Sequence, residues 1–136
     1  NRFLDEFQWT GTADPSAFLS VPAAIEFLQK YNWKEVREQC RQLATKTKQR
    51  LCALPGIQSL YPDNNDMYLQ FFAVELPPCD TETLKERLYD EYNIEVVVQE
   101  WQERPLLRVS VQAYNTEADM DTLIEALSRL LPETAL

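Results

Sequence analysis

The chain has 136 residues, 45% of them apolar and 26% charged, which is enough for one folded domain with a single core. A net charge of −9 argues against nucleic acid or an anionic membrane surface as a partner, because both demand a basic patch. With no histidine present, His-based triads, His metal sites and His acid–base chemistry are excluded, and no metal site is expected.

In chain order, residues 1–13 read as an aromatic, loop-like segment ending Trp9-Thr10-Gly11-Thr12-Ala13. Asp14 is placed to cap a short helical turn with Pro15 at its first position, and Ser20-Val21-Pro22 opens a second helix carrying Ala24, Ile25, Phe27 and Leu28. Asn32, with Glu35 three residues on, predicts the start of a longer helix whose apolar stripe is Trp33, Val36, Cys40, Leu43, Thr47 and Leu51. Lys34, Arg37, Lys46, Lys48 and Arg50 fall mostly off that stripe and are expected among polar neighbours; Pro55-Gly56 stops the helix.

Ile57–Leu60 reads as a short strand, Tyr61–Asp66 as a turn, and Met67–Leu76 as a central strand, apolar on both faces. Asp80 caps a helix carrying Leu84, Leu88 and Tyr92, and residues 94–99 are rich in β-formers. Glu103-Arg104-Pro105 is read as the turn into a strand with Leu107, Val109, Val111 and Ala113 on one side and Arg108, Ser110 and Gln112 on the other. Asn115 or Thr116 then caps a last helix, with Asp119 completing a Thr-x-x-Asp box and Met120, Leu123, Ile124, Leu127 and Leu130 buried. This order predicts an α+β fold: a mostly antiparallel sheet of about three or four strands backed by helices. Residues 1–136 are expected to form a single domain, with 1–31 covering another domain or a dimer partner.

No apolar run approaches the roughly 20 residues that span a bilayer, and no signal peptide opens the chain. Asn1 in place of Met suggests a piece of something longer. Three cysteines, Cys40, Cys52 and Cys79, fit a reducing cytosol; Cys40 and Cys52, on one helix, would be about 18 Å apart and beyond disulfide reach.

Arg108 is the most informative single residue. A guanidinium fixed on a strand can hold a carboxylate bidentately, and it can equally be a rim arginine paired with one of the many acids. Two segments weigh on that choice. Phe7-Gln8-Trp9-Thr10-Gly11-Thr12-Ala13-Asp14, running on to Ile25, resembles the Trp-x-Gly-Thr-x-Asp segment of class V aminotransferase-fold enzymes, fold-type I pyridoxal-phosphate enzymes. Its nearest likeness is to the isopenicillin N epimerase-like and cysteine/cystine C–S lyase-like branch. Arg108-Val109-Ser110-Val111-Gln112-Ala113-Tyr114-Asn115-Thr116 resembles the Arg-x-Ser…Tyr-Asn-Thr segment of the same enzymes. The order and separation of the two also match, and the resemblance covers nearly the whole chain as the C-terminal part of such an enzyme.

That resemblance implies pyridoxal 5′-phosphate, an electron sink for carbanions at the α-carbon of an amino acid, in the full-length enzyme. It assigns the substrate α-carboxylate to Arg108. It assigns a contact to the cofactor phosphate, across a homodimer interface, to Thr12, with Gly11 letting the backbone come close. Arg104 is either an auxiliary carboxylate contact or a solvated turn residue. Phe7 and Trp9 line the mouth of the site or pack an interface, and packing accounts for them.

The family's Schiff-base lysine, its acid partner for the pyridine nitrogen and its ring-stacking residue have no match in residues 1–136. The chain alone is therefore expected to be inactive, to hold no catalytic residue and not to retain cofactor. Cysteine desulfurases keep a catalytic cysteine on a loop shortly before the arginine strand; residues 99–105 contain none, which disfavours persulfide transfer and leaves epimerase, C–S lyase and aminotransferase chemistry open. The competing reading is a non-catalytic α+β interaction or amino-acid-binding module. An open Arg108 and an exposed Thr12 favour the enzyme; an Arg108 closed in an internal ion pair favours the module.

Overall fold

The computed structural model describes residues 1–8, 11–62 and 67–136, so the expectations for Trp9 and for the tip of the turn at 63–66 lie outside the described residues. The chain forms two compact units, Asn1–Trp33 and Lys34–Leu136.

The first unit is helical: α1 (Arg2–Gln8), α2 (Ser16–Leu19) and α3 (Val21–Lys30). The loop expected over residues 1–13 is thus corrected to a helix over much of its length. Local pairs at i,i+4 account for it: Arg2 bonds Glu6 at 3.1 Å and the Phe3 and Phe7 rings lie 4.8 Å apart. Asp14 does not cap α2 in the expected register. Pro15 takes the N-cap position, and Asp14 Oδ1 instead accepts from the Ser16 amide at 2.9 Å and from its hydroxyl. The start at Ser20 is found, with proline in the first turn of α3. No residue of these three helices is buried, and Phe3, Phe7, Phe18 and Leu19 are all more than 60% exposed.

The second unit takes in all of α4 (Trp33–Cys52) but its first residue, then β1 (Gln58–Ser59), β2 (Phe71–Glu75), α5 (Thr81–Tyr92), β3 (Val97–Trp101), β4 (Arg104–Ser110) and α6 (Glu117–Glu133). The strands form one antiparallel sheet in the order β1-β2-β4-β3, so the expected α+β fold with a helix-backed antiparallel sheet is what is found. Phe72, Val74, Leu107, Val109 and Val98 point to one face and meet Leu84 and Leu88 of α5, Met120, Leu123, Leu127 and Leu130 of α6, and Cys40, Ala44 and Leu51 of α4. The period-2 pattern of β4 thus sets which face is core.

The predicted caps of α5 and α6 are present. Asp80 accepts from the Glu82 and Thr83 amides at 3.1 Å each, and Thr116 with Asp119 forms a reciprocal capping box. Gly56 turns the chain after α4 at φ +81, and a Cβ there would stand 2.9 Å from Pro77 Cβ, so the turn needs glycine for both backbone and space.

The helix expected after Asn32 starts at Trp33, with Asn32 itself at φ 47. Three expectations are corrected. Lys48 is buried at 4% exposure with Nζ 5.0 Å from the centre of the Tyr68 ring; the methylenes pack inward and the aromatic face receives the charge. Ala113 is exposed in a turn beyond β4. Lastly, β4 begins at Arg104, and the turn into it is the two residues Gln102-Glu103, at φ 51 and 60.

Both residues of that hairpin turn take positive φ, the signature of a type I′ turn, which strongly prefers Asn-Gly. The double variant Gln102→Asn/Glu103→Gly is therefore expected to stabilise the second unit by about 1 kcal/mol, seen as a higher urea midpoint at unchanged m. A lower midpoint would show that the turn is not of this type.

Candidate functional site

The sheet face opposite the core stays open. Along β4 it carries Arg104, Leu106, Arg108 and Ser110; along β2, Phe71, Ala73 and Glu75; along β3, Val97, Gln99 and Trp101. The register puts Arg108 in the middle, directly opposite Ala73 on one neighbouring strand and Val97 on the other. A small residue and an apolar one thus stand beside it, with no carboxylate in either directly opposed position. Arg108 is exposed and forms no ion pair or side-chain hydrogen bond among the described residues. It shares a cleft of about 500 Å³ with Ser110, Gln99 and Val97, with Lys85 and Glu95 at its side.

Arg104 behaves differently. Its guanidinium is ion-paired to Glu75 on β2, and it is the first residue of β4 rather than a turn residue. The charge-assisted hydrogen bond from Arg104 holds the Glu75 carboxyl below the usual glutamate range. Sequence reading missed Glu75. Its partner is 29 positions away, and only the β2–β4 register joins them.

Gly11 and Thr12 lie in the first unit and Arg108 in the second. Gly11 takes φ +83 with nothing within 4 Å of where a Cβ would stand, and Thr12 is exposed. A hydroxyl and backbone amides in such a loop can donate to a phosphate oxygen. They make no cradle for an aromatic cofactor. Lys48, the buried lysine, is on a core-facing helix with its ammonium against Tyr68 rather than in a cleft. The residues present therefore fit one contact to a phosphate and one to a carboxylate, and do not fit pyridoxal phosphate as a whole.

Cys79 is buried and its thiol is pushed up by desolvation and by Asp80, the opposite of an activated nucleophile. Among the described residues no group of His, Cys, Asp and Glu could hold a metal ion, and no helix is long and apolar enough to cross a membrane.

Comparison with known proteins bears on the same residues. The family model for aminotransferase class-V matches residues 6–123. Isopenicillin N epimerase of Amycolatopsis lactamdurans is 38% identical over 96% of this chain and 34% of its own length; the enzyme of the same name from Streptomyces clavuligerus is 31% identical over 96% of this chain and 33% of its own. A crystal structure of the cysteine desulfurase CsdA from Escherichia coli superposes with a TM-score of 0.73 at 24% identity, covering 92% of this chain and 32% of that one, a likeness of fold. The chain spans about a third of the length of the curated relatives it matches. The family model, covering most of the chain, makes it a member of the aminotransferase class-V family of fold-type I pyridoxal-phosphate enzymes.

Proposed function

We propose that the chain is the C-terminal part of a pyridoxal-phosphate enzyme acting on an amino acid, and that Arg108 receives the substrate α-carboxylate. The observation that carries this reading is the state of Arg108: central on an open sheet face, exposed, and without an internal ion pair among the described residues. In a chain of net charge −9, such an arginine has many acids it could have been paired with. Its planar fork suits a carboxylate bidentately. The module reading would have gained from an Arg108 closed in an ion pair.

Gly11-Thr12 supplies, in this proposal, a contact to the cofactor phosphate of a second subunit, which the exposed threonine and the open space around Gly11 support. The unburied apolar residues of α1–α3, Phe3, Phe7, Phe18 and Leu19 among them, belong against the larger domain or the dimer partner. The domain is taken as one piece of a cytosolic homodimer, and the reaction as epimerase-, C–S lyase- or aminotransferase-type. Persulfide transfer is set aside, because β3 and β4 are joined by Gln102-Glu103 alone and no cysteine-bearing loop intervenes.

The 136 residues alone are expected to be inactive. Incubation with pyridoxal phosphate, then borohydride and peptide mapping, is expected to give scattered, substoichiometric lysine adducts. Stoichiometric trapping at one lysine would refute this division of labour. A complete protein with no lysine adduct under the same treatment would refute the enzyme reading itself.

A further inference from the structure

Leu106 stands directly opposite Glu75 across the β2–β4 ladder. Arg104 and Arg108 are two residues to either side of Leu106 on the same face, so they are the two diagonal neighbours of one carboxylate. Diagonal neighbours in an antiparallel pair are about 7–8 Å apart, within reach of long side chains. Glu75 is the only acid among the strand residues of this face, and it pairs with Arg104. Both partners are partly shielded, at 43% and 26% side-chain exposure, whereas Arg108 keeps an open guanidinium. Of the other charged groups, Lys85 is a cation, and Glu95, just before β3, lines the same cleft as Arg108; neither is ion-paired to it among the described residues.

We propose that Arg104 is a positioning residue for Arg108: by holding Glu75, it keeps this face's one strand carboxylate off Arg108 and leaves that guanidinium free for a ligand carboxylate. The inference rests on the reading of Arg108 as a carboxylate site, and adds to it the reason Glu75, the strand acid in diagonal reach, does not quench that site. A face with one arginine and one glutamate in diagonal reach would neutralise itself. A second arginine on the far diagonal resolves the competition, since a charge-assisted hydrogen bond already made must be given up before Glu75 can turn. Arg104 touches no substrate in this scheme and acts only through Glu75.

The test uses the 136-residue chain, its Arg104→Ala, Arg104→Ala/Glu75→Gln, Arg104→Ala/Arg108→Ala and Arg108→Ala variants, and two NMR readouts. The first is the pH titration of the Glu75 side-chain carboxyl. In Arg104→Ala it is expected to stay below the usual glutamate range, now held by Arg108, and to return to that range in Arg104→Ala/Arg108→Ala. A Glu75 that titrates normally in Arg104→Ala, with Arg108 intact, overturns the proposal.

The second readout is the Arg108 side-chain Nε–H resonance during titration with sodium acetate against sodium chloride at constant ionic strength. Arg104→Ala is expected to weaken the acetate response about two- to fivefold, the size of competition by an exposed ion pair, and Glu75→Gln on that background to restore it. Restoration separates competition by Glu75 from a general loss of structure. A response that Arg104→Ala leaves unchanged overturns the proposal alone. A wild-type Arg108 indifferent to acetate overturns the carboxylate reading, and with it the purpose assigned to Arg104.

Discussion

In the complete enzyme, Arg108→Ala is expected to lower kcat/KM for the amino-acid substrate about 10- to 150-fold, the equivalent of a hydrogen bond to a charged group worth 1.5–3 kcal/mol. Arg108→Lys should recover only part of this, because an ammonium restores charge without the planar fork that meets both carboxylate oxygens. The sharper measurement is discrimination. The wild type should prefer the free acid over the corresponding primary amide, and Arg108→Ala should lose that preference while keeping its fold. Equal loss on acid and amide would show that Arg108 supports the sheet and does not contact the carboxylate. Its exposed place on a face whose opposite side forms the core makes a purely structural role the less economical account.

Phe72→Ala is expected to cost the second unit 3–5 kcal/mol, the range for removing a buried aromatic ring. Phe72 is fully buried in β2, opposite Val109 of β4, with the Tyr68 ring 6.1 Å from its own. Against a total stability of roughly 5–15 kcal/mol for a domain, this is a large fraction. The control is the next residue. Phe71 is 58% exposed on the open face, and Phe71→Ala should change stability by less than about 0.5 kcal/mol. Urea unfolding of both variants measures the difference through the midpoint at constant m. Equal costs at the two positions would mean that the inward and outward faces of β2 have been wrongly distinguished.

What the sequence discloses about this molecule is what short-range chemistry determines. Asp80 and the Thr116–Asp119 box are legible because a cap is decided within four residues. Leu107, Val109 and Arg108 are legible because alternation along a strand needs no partner to be recognised. The remainder depends on contacts far apart in the chain. Lys48 reads as a surface lysine until Tyr68, 20 positions on, provides the ring that covers it. Arg104 reads as a turn residue because neither Gln102 nor Glu103 is a glycine or asparagine, so the tight hairpin gives no local sign of itself. The double-sided apolarity of Met67–Leu76 implies cover on both faces, yet Met67, Leu69 and Phe71 are each more than half exposed.

Pro105 gives the sheet a limit on that side. Its carbonyl accepts from the Leu76 amide at 2.9 Å, but it has no N–H to return, so the β2–β4 ladder closes there and Pro77-Pro78 carries the chain away. Of the outer strands, β1 is two residues long, and β3 carries Glu100 with Glu95 just before it. Short and acidic margins discourage the addition of a foreign strand. With strand addition discouraged at both margins, the broad side that displays Arg108 can be covered without disturbing a single backbone pairing.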